Sequence, residues 1–143
     1  MRALVVGVVL CALGAAGCTA ELPEGTAVTV DTSAWSGSPA CSEDPCTLDA
    51  YATRDFTTDA VVPAALVDGA TVQVHCFVPT PAPVSDPGGR EAYRWYLLTV
   101  GSMLLWAPDI ALTSDDDLRR TPDEPGEHIA AGLQLCHSGV PGR

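Results

Sequence analysis

Apolar and polar positions fall into short runs along this chain, each closed by turn-forming residues, and no run keeps a helical period long enough to build an amphipathic helix. TLDAYATRDF (47–56) alternates loosely. AVVPAALVDGA (60–70) closes on Asp68-Gly69, and TVQVHCFV (71–78) is a β-branched run that stops at Pro79. PTPAPVSDPGGRE (79–91) carries four prolines and two glycines, which predicts an exposed irregular loop. The fourteen residues from Trp95 to Pro108 hold no charge, yet they fall short of the roughly 20 apolar residues a membrane helix needs. With Gly101-Ser102 between two apolar halves rich in β-branched and aromatic residues, this stretch predicts a hairpin whose strands are buried on both faces. PDIALTSDDDLRRTPDEPGE (108–127) reads as a short helical turn and a polar excursion, after which HIAAGLQLC (128–136) returns Cys136 to the body. No internal repeat is present. The pattern predicts an all-β module of about five or six short strands.

The N-terminus adds an address. MRALVVGVVLCALGAAGC has a positive residue, an apolar stretch and small residues before Cys18, the layout of an export signal. Ala15-Ala16-Gly17-Cys18 resembles the lipobox of bacterial lipoproteins. That resemblance implies a signal peptide over 1–17, lipid attachment at Cys18, and a place on the outer face of the cytoplasmic membrane, held there by acyl chains. Cleavage after Ala20 is the alternative. The Pro-, Gly-, Ser- and Thr-rich residues that follow predict a lipidated flexible stem over 18–40, disordered apart from a short alternating piece at 26–32 and Trp35 placed to tuck against the body. The folded domain is expected over 41–137, with a disordered tail at 138–143.

Charge and cysteine content narrow the partners. The chain carries a formal charge of −11 and contains no lysine. Such a surface repels nucleic acid and anionic polymers and favours neutral or cationic partners. Four cysteines lie beyond the signal and anchor: Cys41, Cys46, Cys76 and Cys136. In an exported small domain they read as two disulfides, with three possible pairings.

The order of short motifs resembles the bacterial SH3-like domain of envelope proteins. YATR (51–54), GATVQV (69–74), WYLL (95–98), LLWAP (104–108) and IAL (110–112) stand where that family has its successive strand motifs. The resemblance implies a small SH3-like barrel. It also implies a Cys46–Cys76 disulfide, which leaves Cys41 to pair with Cys136. Asp55-Phe56-Thr57 and Leu105 depart from the family pattern, so inheritance of its wall-binding role does not follow from the fold. SH3-type folds bind extended ligands over aromatic grooves, which makes Tyr51, Arg54, Tyr93, Trp95, Tyr96 and Trp106 the candidate ligand-binding residues.

Other constellations point to plain structure. His75-Cys76 and Cys136-His137 hold zinc-type residues, but neighbours on a strand point to opposite faces, so no metal site is expected. Asp115–Asp117 lacks the alternation of an EF-hand calcium loop and reads as a solvated turn. Among Ser, His and Cys no nucleophile-and-base spacing stands out, and the expectation is a non-enzyme without cofactor. Two functional expectations follow. The first is a lipid-anchored, non-catalytic envelope module that binds a wall polymer or an envelope protein. The second is a secreted, disulfide-braced inhibitor or ligand scavenger.

Overall fold

The computed structural model describes residues 21–120, 124–138 and 140. The expected signal peptide over 1–17 and the lipid-attachment residue Cys18 lie outside them. Six antiparallel strands form one curled sheet: β1 (Thr26–Thr29), β2 (Thr47–Tyr51), β3 (Val61–Val67), β4 (Thr71–Ser85), β5 (Glu91–Val100) and β6 (Met103–Pro108). Their spatial order is β1-β4-β5-β6-β2-β3, so the all-β expectation holds and the sheet forms a half-barrel with β1 and β3 at its edges. Two short helices follow, α1 (Asp115–Arg120) and α2 (Glu127–Ala130). Among the described residues no helix is long and apolar enough to cross a membrane.

β5 and β6 form the predicted hairpin, in register from Trp95 opposite Pro108 to Val100 opposite Met103. Gly101 supplies the positive φ of 59° that the turn requires. Both faces of the hairpin are apolar because both are covered. Tyr96, Leu98, Leu105 and Ala107 enter one core cluster, while Trp95, Leu97 and Trp106 enter another. Each such side chain gains about 1.5–3 kcal/mol on burial.

β4 is longer than its prolines suggested. Ser85 still pairs with Glu91, so the expected loop over 79–91 shrinks to the turn at Asp86–Arg90. Register jumps between Pro79 and Val84, so part of the proline run is looped out of the ladder while the strand resumes beyond it. The outer side of β4 explains why prolines are tolerated. Phe77 N–H donates to the Gln134 carbonyl, and Cys136 N–H donates to that of Phe77. The backbone of Phe77 therefore faces outward, and two residues on, Pro79 puts its hydrogen-free nitrogen on the same edge.

A second irregularity places a cysteine. Val74 opposes Leu98 and Cys76 opposes Leu97, so His75 is an extra residue, a β-bulge. The bulge turns Cys76 from the face occupied by Val72 and Val74 to the opposite one. There the returning C-terminal segment meets it, and the disulfides are Cys76–Cys136 and Cys41–Cys46. All four cysteines are crosslinked, but the pairing Cys46–Cys76 with Cys41–Cys136 is wrong. The short 3-10 turn Pro39–Cys41 brings Cys41 within a Cα separation of 5.0 Å from Cys46, leaving Cys76 for the tail.

Two further boundaries move. The segment expected as a stem over 18–40 is part of the fold from Thr26 onward. Thr26–Thr29 pair with Thr71–Val74, Thr32 donates both its N–H and its hydroxyl to Asp68 Oδ1 at 2.9 Å, and Trp35 is buried. Its composition is that of a linker, but an open edge of β4 supplies the backbone partners. The short helical turn expected after Pro108 is present as a 3-10 turn (Asp109–Ala111), and the sheet stays open beyond it. Val140, expected in a disordered tail over 138–143, is buried beside Trp106 and Cys136 in the second cluster.

Candidate functional site

β2 meets β6 only where Tyr51 stands opposite Trp106. In this antiparallel pair the ladder would continue with the residues before Tyr51 against those after Trp106. Pro108, with no N–H to offer, stands there. The strands part, and a cleft of about 400 Å³ opens between them. It is walled by Thr47–Asp49 and Tyr51 of β2, Pro63 and Ala64 of β3, Trp35, Pro108 and the turn residues Asp86–Gly88. The cleft therefore lies along a stretch of β2 with no ladder partner on that side.

Each wall is fixed locally. Asp86 closes the β4–β5 turn: its N–H donates to the Arg90 carbonyl at 2.9 Å, its carbonyl accepts from Gly89 N–H, and Oδ1 accepts from Arg90 N–H at 2.8 Å. The turn leans on Trp35. The Arg90 guanidinium lies 4.2 Å from the indole centroid, and a Cβ on Gly88 would come within 3.2 Å of the same ring. Trp35 is itself pinned by its Nε1–H, which donates to the Ile110 carbonyl at 3.2 Å.

On the opposite wall the register of β2 and β3 breaks. Leu48 opposes Leu66 but Ala50 opposes Val62, so β3 carries extra residues there. Ala64, in that bulge, has φ +53°, a left-handed conformation costly for a residue with a Cβ. Its N–H donates to Asp49 Oδ1 at 3.0 Å, which holds the strained backbone in place. Strain maintained by a side chain at the rim of a cleft is the kind that accumulates at binding sites.

Asp49 and Asp86 are the charged side chains of the lining. Burial, and then the negative charge of Asp49 and Asp86, push the Tyr51 hydroxyl up to about 12, so it stays a protonated donor at neutral pH. Proline and aromatic walls with two carboxylates suit a neutral or cationic extended chain.

The residues expected to bind ligand are placed differently. Tyr51, Trp95 and Trp106 share the second core cluster, with Tyr51 and Trp95 edge to face at 5.6 Å, and Tyr96 is fully buried in the first. Tyr93 is half-buried and donates its hydroxyl to Glu91. These rings form no common groove; only Tyr51 lines the cleft, since strand alternation and burial on both faces distribute the others through the core. Arg54 lies on the second face, its guanidinium 5.3 Å from the centre of the Trp106 ring, and lines one hollow with Trp106 and another with Trp95.

The remaining polar clusters are structural. His75 bridges the Pro23 carbonyl through Nδ1 and Thr99 Oγ1 through Nε2, each at 2.8 Å, while Cys76 and Cys136 spend their sulfurs on each other. Ser114 caps α1 by accepting from Asp117 N–H at 3.1 Å, and Asp116 and Asp117 stand near the start of that helix, where the helix dipole favours negative charge. Asp109 is fully buried, accepts from Tyr93 N–H and Ile110 N–H, and lies 3.8 Å from Arg94. Burial raises its carboxyl to about 7 against these stabilising donors.

Comparison of the chain with protein families, curated proteins and solved structures finds no match. Sequence reasoning missed Trp35 as a wall of the site and missed Asp49, Ala64 and Asp86 altogether. Asp86-Pro87-Gly88-Gly89 is a strong turn signal that could have marked one wall. Nothing local marks Ala64, whose conformation depends on a register shift.

Proposed function

We propose that the chain is a non-catalytic interaction module, tethered by lipid at Cys18 to the outer face of the cytoplasmic membrane, that holds a neutral or cationic segment of an envelope polymer or protein in the β2–β6 cleft. The observation that carries this reading is the parting of the two strands at Pro108, which leaves β2 open beside aromatic and proline walls. An extended ligand can satisfy open strand backbone while its side groups enter the pockets alongside. Two disulfides suit an oxidising compartment, as the export signal requires. The resemblance to bacterial SH3-like domains supports the same kind of role.

Ala40 lies exposed on the cleft wall and outside the core, so Ala40→Trp fills the entrance without disturbing packing. Purified cell wall is expected to retain the wild type and to lose roughly tenfold or more of the Ala40→Trp protein. Equal retention of the two would remove the cleft from the reading, and no retention of the wild type would remove the wall polymer. The cleft volume also fits a small cationic ligand, which favours a secreted scavenger as the second reading. Blocking lipoprotein signal peptidase separates them, since only the tethered form accumulates as precursor.

A further inference from the structure

Arg54 is the one side chain among the described residues with a buried polar atom that nothing satisfies: its Nε has no hydrogen-bond partner. In an acidic chain this is unexpected, because carboxylates are plentiful and an arginine fork pairs readily with them. The neighbouring Asp55 does not pair with it; its carboxylate accepts instead from Thr57 N–H at 3.1 Å. The guanidinium rests against the Trp106 ring, beside the two hollows it lines.

Two hollows adjoin Arg54. The smaller, about 260 Å³, is lined by Val78, Trp106, Cys136, His137 and Val140. The larger, about 520 Å³, runs past Thr53, Pro79, Thr80, Pro81 and Trp95. A charged fork that lines both a side-chain-sized pocket walled by Val78, Trp106, Cys136 and Val140 and a larger hollow is an arrangement that can read a chain end. We propose that Arg54 is a carboxylate subsite that takes the C-terminal carboxylate of an extended peptide, with an apolar last side chain in the smaller hollow and the preceding residues along the larger. A carboxylate is preferred to a phosphate because the formal charge of −11, and Asp55 on the rim of the trough, penalise a dianion more than a monoanion. The site is separate from the β2–β6 cleft and shares no lining residue with it.

The test uses the whole folded protein with its disulfides intact. The probe is an N-acetylated tripeptide ending in valine, offered as the free acid and as the amide, with binding followed by tryptophan fluorescence and by NMR. The acid is expected to bind at least roughly tenfold more tightly than the amide. Arg54→Gln should abolish that preference, and Arg54→Lys should keep only part of it, since an ammonium cannot form the two-pronged contact. Ala40→Trp should leave the preference unchanged. Equal binding of acid and amide to the wild type, absence of binding by the acid, or full preference in Arg54→Gln would each overturn the assignment. If Arg54→Gln fails to fold, the acid and amide comparison on the wild type decides alone.

Discussion

The two faces of the sheet are fastened by unlike means. On the first face, the segment around α2 is held by a polar latch. Arg94 reaches the Pro125 carbonyl, Glu124 and the buried Asp109, while the Tyr96 hydroxyl donates to the Gly126 carbonyl. Gly126 is required there, because a Cβ would sit 2.8 Å from that of Asp109 and 2.9 Å from the Tyr96 oxygen. On the second face, the next stretch of the same segment is held by a sulfur bridge and two backbone hydrogen bonds to Phe77. The difference teaches why a chain this size uses both. Each stretch is held by more than its apolar contacts, and the two fasteners respond to different conditions, one to protons and the other to reductant.

The largest effect is expected from breaking the covalent fastener. Cys76–Cys136 closes a span of 60 residues, whereas Cys41–Cys46 closes one of 5. Chain-entropy reasoning assigns about 4 kcal/mol to the first and about 2 kcal/mol to the second. Urea unfolding of Cys76→Ser/Cys136→Ser and of Cys41→Ser/Cys46→Ser should therefore show losses in a ratio near two. Equal losses would mean that the C-terminal cover does not depend on its bridge.

Next comes the proton-sensitive fastener. Burial lifts the Asp109 carboxyl from an ordinary 3.8 to about 7 in the folded chain. The folded state then keeps a proton that the unfolded state has released, so this group's contribution is fully present below about pH 4 and is lost as pH rises to about 7. Asp68 has the opposite sign. The Thr32 N–H, and then the Thr32 hydroxyl, hold its carboxyl below 3.8, and what it contributes is lost on acidification. Unfolding free energies from urea titrations between pH 4 and 8 should fall by a few kcal/mol at most, given about 1.4 kcal/mol for each tenfold change in proton affinity. Asp109→Asn should flatten that fall, and the redox variants should leave it in place. A stability that rises across this range would contradict the raised Asp109 carboxyl.

How much of this was legible in the sequence follows the range over which each feature is decided. The β5–β6 hairpin was legible because its apolar run, its Gly101-Ser102 turn and its two-sided burial are all local. The stem expected over 18–40 was misjudged at 26–29 because the order of that strand comes from β4, more than forty positions away, whereas Trp35 tucks against the body as expected. The disulfide pairing went wrong for a similar reason: the bulge at His75 that turns Cys76 toward the tail is a register event, and no composition announces it. The candidate site suffered most. Trp95, Tyr96 and Trp106 looked like one recognition surface, but alternation sent Tyr96 into the first core cluster and left Trp95 and Trp106, almost wholly buried in the second, to wall separate hollows beside Arg54. The cleft arose instead where Pro108 ended a ladder between strands distant in sequence.

The smallest effect tests whether the strain beside that cleft belongs to binding or is incidental. Ala64 sits at φ +53°, and Ala64→Gly removes the Cβ penalty while loosening the unfolded chain, so a net gain of up to about 1 kcal/mol is expected in urea. Asp49 holds the same position through the Ala64 N–H, and that bond survives the substitution. If the bulge is shaped for ligand, the more stable Ala64→Gly protein should bind cell wall less well than the wild type, because the relaxed backbone no longer keeps β3 in its bound geometry. If retention is unchanged while stability rises, the left-handed residue is only the geometric consequence of a register mismatch between β2 and β3, and the ligand contacts lie on the Trp35 and Asp86 side of the cleft.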